Sequence, residues 1–512
     1  LTESQGLRHA LRIWRTGREL RLDHARCCAR VASDLLAQGL DRWQVLALSG
    51  ALARARPMLC EEPTALGRRL RRVRPGNRQA VFRAAAGEVV PVWDGGGRKR
   101  RGAFDTPPEL AGEVVRLALG AAEGPVGLGM DPACGTGAFL LALDQAGVDR
   151  IVGIDPDPVA LAVAAVLVPR AHLVRASVFE ADLVPADVVV GNPPFVSPER
   201  QDKALRRALA GRFPWLRGRF DLAVPFSELA MGALRPGGGL GLVLPAAMMV
   251  QPYGESWRRR WLEAHRVRSL GVPSDFPGVS VRVVALSATR GGGPGAMAGG
   301  LPVSDVLSLP AAPLDARVTA GDLALVQRVR AESVPLGELC HVDTGLVAHG
   351  PLGGKARLLR DAPEPGAVPF VDARDLFQGR SRWLAYRAQE MHRPKSPALF
   401  EGPKLLVQRL RGGGPVRALV DRSGVYAGHT LLVARPHPCC PVSPERLLEV
   451  VQDPVAQAVN RVERGPRLDL YPQDLRGLPV PRRWLRGEPA GLHAAWGLDA
   501  AQASTLARLA SF

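Results

Sequence analysis

Lysine is nearly missing from this chain: of its 67 basic residues 62 are Arg and five are Lys. A skew of that size reads as genome composition, so the identity of any one arginine says little, while the net charge of +18 keeps its meaning. Cysteine is scarce as well. Seven cysteines, an odd number without a C-x2-C pair or neighbouring His spacing, argue against a disulfide framework and against a zinc site. Cys27, Cys28, Cys60, Cys340, Cys439 and Cys440 are read as core thiols. No run of about 18 uncharged apolar residues is present, which excludes an evident membrane-spanning helix. The first twenty residues, LTESQGLRHALRIWRTGREL, carry charges where a secretory leader needs an apolar stretch. These absences lead to the expectation of a cytoplasmic protein with no membrane contact and no metal.

The 512 residues correspond, at about 100 to 200 residues per domain, to about three domains. An apolar share of 46% with 23% charged residues is that of a globular chain. Charge is unevenly spread. Residues 1–100 hold 20 basic and 9 acidic side chains, 101–200 hold 6 and 13, 201–300 hold 14 and 6, and 301–512 hold 27 and 21. One acidic block thus lies between basic ones, and the overall balance points to a polyanionic partner.

Residues 1–97 read as a helical N-terminal segment, with Leu35, Leu36 and Leu40 at helical spacing and breaks at Pro57, Pro63 and Pro75. The stretch DGGGRKRRG, ending at Gly102, marks a boundary, read as a solvated linker or a phosphate-binding loop. Over 98–290 short β-branched runs (VGLGM, IVGID, AHLVRA, DVVVGN, LGLVLP, VRVVALSA) alternate with helical segments, which predicts a mostly parallel sheet covered on both faces. Residues 291–300, GGGPGAMAGG, read as a flexible linker. The remainder, 301–512, has short strands (KLLVQRL, HTLLVARP), a helix-like LLEVVQDPVAQAVNRV and many turn residues.

Chemistry concentrates in three places. In MDPACGTGAFLLAL a strand ends at Asp131, turns through Ala133, Cys134, Gly135 and Gly137, and opens a helix; glycine there allows sharp bending and close approach of a ligand to the backbone. Asp155, at the end of IVGID, is placed to accept hydrogen bonds from a ribose diol. Each piece alone is also an ordinary strand-to-helix turn; together they fit adenosine binding. In VVVGNPPF, Pro193 and Pro194 fix φ and remove two donors, leaving the Asn192 amide and the Pro193 carbonyl as acceptors for an exocyclic amine, and Phe195 offers an aromatic face for a stacked base.

On these motifs and their order the chain resembles the N6-adenine DNA methyltransferases that use S-adenosylmethionine, in the gamma arrangement with cofactor motifs first and target recognition last. The resemblance covers about residues 98 to 482. It implies a Rossmann-like α/β catalytic sheet over 98–290, a mixed α/β target-recognition domain over 301–512, and a cofactor cradle of Asp131, Ala133, Cys134, Gly135, Gly137 and Asp155. The segment GAFDTPPEL is similar to the family's cofactor-capping segment, which implies that Phe104, Thr106 and Pro107 line the methionine end of the cofactor. Thr106 is also expected to N-cap the following helix, with Glu109 completing a capping box. Asn192, Pro193, Pro194 and Phe195 take the catalytic role, and Phe276 packs beside the flipped base. Where the family has an acidic residue after the third strand this chain has Ser177, a weaker acceptor, with Asp182 as a substitute. Arg206 and Arg207 follow the catalytic turn and are expected on DNA phosphates; Arg409, Arg411 and Arg417 are candidate contacts in the recognition region. Duplex DNA is the implied partner, with a separate restriction endonuclease a further one, since no nuclease constellation is visible. Transfer to N4 of cytosine, to RNA or to protein glutamine, and a degenerate DNA-binding role, stay open at this level.

Overall fold

The computed structural model describes residues 24–54, 106–216, 218–271, 274–275, 281–298, 300–348, 358–409, 415–467, 469–488 and 491–510. Phe104, Phe276, Arg411, Cys60 and the DGGGRKRRG stretch lie outside these residues. The chain divides into two compact units, Leu1–Leu307 and Ser308–Phe512. Among the described residues no helix is long and apolar enough to cross a membrane.

The first unit is built on one eight-stranded sheet. Its strands are β1 (Leu128–Asp131), β2 (Arg150–Ile154), β3 (His172–Val174), β4 (Ala186–Gly191), β5 (Leu234–Pro245), β6 (His265–Leu270), β7 (Ser274–Asp275) and β8 (Arg282–Gly292). They lie in the order β3-β2-β1-β4-β5-β8-β6, with β7 on β8. The first five are parallel, while β8 runs antiparallel between β5 and β6. Strand order reverses between β1 and β4, so a crevice opens at their carboxyl ends, where ligands bind in open α/β sheets.

Helices α1 (His24–Ala37), α2 (Arg42–Arg54), α3 (Pro108–Ala121), α4 (Ala138–Gln145), α5 (Pro158–Leu167), α6 (Lys203–Arg212), α7 (Ala223–Gly232) and α8 (Glu255–Ala264) complete this unit. Helix α3 lies directly on β5, and glycine permits the contact: a Cβ on Gly239 would come within 2.0 Å of the Ala118 carbonyl oxygen. Helices α1 and α2 pack on α5, burying Cys27, Cys28, Val31, Ala32 and Leu35. Arg42 and Arg170 both pair with Asp144 on α4, and the Trp43 indole donates to Gln145 at 3.2 Å.

The glycine-rich segment is not a bare linker. Strand β8 continues to Gly292, and β9 (Met297–Ala298) then pairs with β10 (Leu301–Pro302). Gly291, Gly292 and Gly293 all hold positive φ, a conformation that shapes a tight turn rather than a loose tether. The boundary between the units falls later, after Leu307.

The second unit holds α9 (Ala320–Ala331), β11 (Ser333–Pro335), β12 (Cys340–Thr344), β13 (Leu359–Arg360), β14 (Val368–Val371), β15 (Arg382–Leu384), β16 (Lys404–Gln408), β17 (Ala418–Asp421), β18 (Tyr426–Ala427), β19 (Leu431–Pro436), α10 (Pro444–Gln452), α11 (Pro454–Arg464) and β20 (Pro479–Pro481). Two four-stranded sheets, β12-β19-β16-β17 and β13-β15-β14-β18, share one apolar core around Leu346, Phe370, Phe400 and Val433. The helix-like LLEVVQDPVAQAVNRV is two helices, because Pro454 cannot continue the first and Asp453 caps the second through the Val455 and Ala456 N–H groups. Cysteine burial is also uneven: Cys27, Cys28, Cys134 and Cys340 are buried, Cys440 is half-buried and Cys439 is exposed. Cys439 lies in a turn after β19 and is not a core thiol.

Candidate active site

The turn after β1 carries the first half of the site. Gly135 has φ +51 and Gly137 φ +100, both left-handed, and Gly137 opens α4. A Cβ added at Gly135 would meet nothing within 4 Å, so its Cα faces open space. Asp155, just after β2, fixes the turn from the side: one carboxylate oxygen accepts the Gly135 N–H at 2.9 Å and the other the Asp157 N–H at 2.8 Å. The sequence leads to a ribose ligand at Asp155; the structure adds this role as a loop brace.

Asp131 ends β1 and is 1% exposed. Burial pushes its carboxyl up to about 8, the Ala133 N–H bound at 3.0 Å opposes that rise, and the charge of Asp155 adds to it. Burial likewise holds the Cys134 thiol well above its usual range. Two carboxyl groups thus converge beside an open glycine backbone. Such a cradle fits a ligand that brings positive charge and a diol, as S-adenosylmethionine does.

The second half lies across the crevice. Strand β4 is buried and ends at Gly191, where a Cβ would sit 3.0 Å from Asp131 Oδ1. The strand end and Asp131 therefore touch. Pro193, Phe195 and Val196 are buried and Asn192 is half-buried. The Asn192 Nδ2 donates to the Thr106 hydroxyl at 3.2 Å. Thr106 is therefore not the N-cap of α3: that position falls on Pro107, with no side-chain capping bond. Its hydroxyl holds the Asn192 amide instead, and the capping-box expectation with Glu109 does not hold.

The structure thus brings Thr106, Asp131 and Asn192 together on one side, and Gly135 with Asp155 on the other. Ser177 is half-buried three residues past β3, its hydroxyl engaged by the Phe179 N–H at 3.4 Å, while Asp182 is exposed. Arg206 and Arg207 lie on α6, Arg207 exposed and Arg206 half-buried with a bond to the Pro198 carbonyl. In the second unit Arg409 packs its guanidinium over Tyr471 at 5.6 Å with Nη1 on the His429 carbonyl, so it sits in the fold more than on its surface. Arg417 is exposed and lies 4.0 Å over the Phe377 ring. Sequence reasoning missed Gln201 and Asp221, which grip the residue after Phe195. Gln201 also reaches Phe220, and Asp221 reaches back to Val196, across the helix between them, and no local pattern marks them.

Comparison with known proteins places this geometry. The family model described as Eco57I restriction-modification methylase matches residues 185–272, the stretch from β4 through β6. The type II methyltransferase M.TthHB8I of Thermus thermophilus is 28% identical over 347 residues, covering 63% of this chain and 77% of that enzyme. The type II methyltransferase M.PaeR7I of Pseudomonas aeruginosa is 28% identical over 230 residues, 38% of this chain and 40% of its own length. Among solved structures, the type IIL restriction-modification enzyme MmeI in complex with DNA overlays with a TM-score of 0.49 at 12% identity, over 81% of this chain and 71% of that one. Motif order and sheet topology agree with these sequence relatives, and the chain is similar to the restriction-modification DNA methyltransferases.

Proposed function

We propose that the protein transfers a methyl group from S-adenosylmethionine to N6 of an adenine flipped out of duplex DNA. The observation that carries this reading is the Asn192–Phe195 turn at the end of β4, in contact with Asp131 and Thr106 of the cofactor side. An adenine amino group inside a stack cannot reach such a turn, so the base must leave the helix. The Asn192 amide and the Pro193 carbonyl accept the two amine protons, which favours a tetrahedral nitrogen with a localised lone pair. Phe195 supplies the stacking face. The cofactor supplies an electrophilic methyl on its sulfonium; Asp131, Gly135 and Asp155 hold it in line, and the Thr106 hydroxyl orients the Asn192 amide.

In this reading the second unit selects the target sequence and the exposed basic face of α6 holds the phosphate backbone. The +18 net charge supports a polyanionic substrate. A separate endonuclease is the natural companion of such an enzyme, and the cytoplasm its place of work. Asn192→Ala tests the assignment. Tritium transfer from labelled cofactor to unmethylated genomic DNA is expected to fall by about two to four orders of magnitude, as for loss of electrostatic positioning at a reacting atom. Cofactor affinity by calorimetry is expected to stay within a few-fold of wild type. Wild-type turnover in Asn192→Ala would refute the role given to this amide, and methylcytosine as the product would move the substrate to cytosine.

A further inference from the structure

The residue that follows the catalytic turn is held on both faces of its backbone by a segment the reaction chemistry does not use. The Gln201 Nε2 donates to the Val196 carbonyl at 2.8 Å and to the Phe220 carbonyl at 2.6 Å. The Leu222 N–H donates to the same Val196 carbonyl at 3.2 Å. The Val196 N–H donates to the Asp221 carboxylate, which also accepts the Ala223 N–H at 2.9 Å. Val196, Gln201, Phe220 and Leu222 are all buried.

These bonds close the neck of an excursion. The chain leaves the site at Val196, makes α6, and returns at Phe220. Asp202, next to Gln201, caps α6 through the Ala204 and Leu205 N–H groups. One continuous set of bonds therefore links the start of a basic helix to the backbone beside Phe195. Two features argue for more than packing. The Gln201 Oε1 is buried and has no hydrogen-bond partner among the described residues, a cost native folds seldom leave unexplained. Burial also pushes the Asp221 carboxyl up to about 6, so its ionised form at neutral pH is held against desolvation by the N–H groups of Ala223 and Val196.

We propose that Gln201 and Asp221 are positioning residues: they fix the Asn192–Phe195 turn in its reacting geometry and tie it to helix α6, so that seating of α6 on a DNA backbone sets the catalytic turn. This rests on the methyl-transfer reading above. The bonds are donor-specific. Glutamate at position 201 puts a carboxylate against two carbonyl oxygens and cannot donate, and methionine there keeps the volume but not the bonds. Alanine at 221 removes the acceptor, while asparagine keeps one carbonyl oxygen, which can face the Ala223 N–H as Oδ1 does.

The test uses the full chain with two readouts. Methyl incorporation into unmethylated bacterial genomic DNA gives kcat and KM, and amide hydrogen exchange by mass spectrometry over peptides within 188–200 reports the turn itself. Gln201→Glu, Gln201→Met and Asp221→Ala are expected to raise exchange around Val196. They should lower kcat about tenfold to a hundredfold, the size expected when a reacting group is displaced by about an ångström. The dissociation constant for S-adenosylmethionine should stay within about twofold, less than 0.5 kcal/mol, and Asp221→Asn should restore part of both signals. Wild-type exchange in Gln201→Glu and Asp221→Ala would overturn the proposal. So would a kcat loss matched by equal loss of cofactor affinity, or no recovery in Asp221→Asn. If the wild-type protein moves no methyl group to DNA, the functional reading fails, and the exchange data still decide whether these residues hold the turn.

Discussion

Removing the Asp155 carboxylate should act on two properties that can be measured apart. In the free protein it accepts the Gly135 N–H at 2.9 Å and the Asp157 N–H at 2.8 Å. Hydrogen bonds to a charged acceptor are worth about 1.5 to 3 kcal/mol each. Both N–H groups are only partly buried, so water recovers about half of that in Asp155→Ala, leaving about 1.5 to 3 kcal/mol of lost stability. For a unit of this size the melting temperature should fall by about 3 to 12 °C. Cofactor binding loses the contact to the ribose as well, a further 1.5 to 3 kcal/mol or about tenfold to a hundredfold in Kd. Scanning calorimetry reads the first effect and titration with S-adenosylmethionine the second. Asp155→Asn keeps one acceptor oxygen and turns an amino group toward the other N–H, so it should fall between. A lowered melting temperature with wild-type Kd would make Asp155 a loop brace with no ligand contact. Unchanged values of both would refute the hydrogen-bond reasoning.

Two other expectations follow from buried charge. With its folded pKa raised from 3.8 to about 8, Asp131 contributes stability that is complete below the unfolded value and lost as pH rises through about 8. A cationic cofactor beside it lowers that pKa, so binding near neutral pH should release a proton and tighten as pH rises toward 8; titrations in buffers of different ionisation enthalpy that show no proton release would refute this. In the second unit the Lys404 ammonium is fully buried, bonded to the Phe400 carbonyl at 2.6 Å and paired with Asp421. Lys404→Met should therefore cost about 3 to 5 kcal/mol by leaving a buried carboxylate, and Lys404→Met with Asp421→Leu should recover much of it. A single variant that melts at the wild-type temperature would refute the pairing argument.

How much of this was legible in the sequence depends on how local each constraint is. The Gly135 turn and the Asn192–Phe195 turn could be read because glycine and successive prolines act on their own φ angles, whatever surrounds them. Alternation of apolar strands and helices likewise gave the parallel sheet. Thr106 was misread for the complementary reason: its spacing to Glu109 satisfies a local capping rule, yet its partner is Asn192, 86 residues away. Gln201 carries no periodic or compositional signal, since its bonds depend on the return of the chain at Phe220. The Gly291–Gly293 run reads as flexibility in composition yet bends the strand end, because composition alone cannot tell a floppy glycine from one held at positive φ. Arginine abundance hid the difference between Arg409, packed on Tyr471, and the exposed Arg417.

The docking of α1 and α2 on α5 has a consequence for how the protein is made. Helix α5 is apolar on nearly every side, and the sheet can cover only one of them. Its outer face is closed by helices synthesised long before it. On the ribosome, the stripe of Cys27, Val31 and Leu35 therefore waits without its partner while the cofactor turn, α4 and β2 emerge. Contacts of such long sequence separation form late and slow folding. They also bind the two segments to a common fate: a fluctuation that loosens α5, the helix capped by Asp157 beside the cofactor cradle, unseats the preceding helical pair along with it.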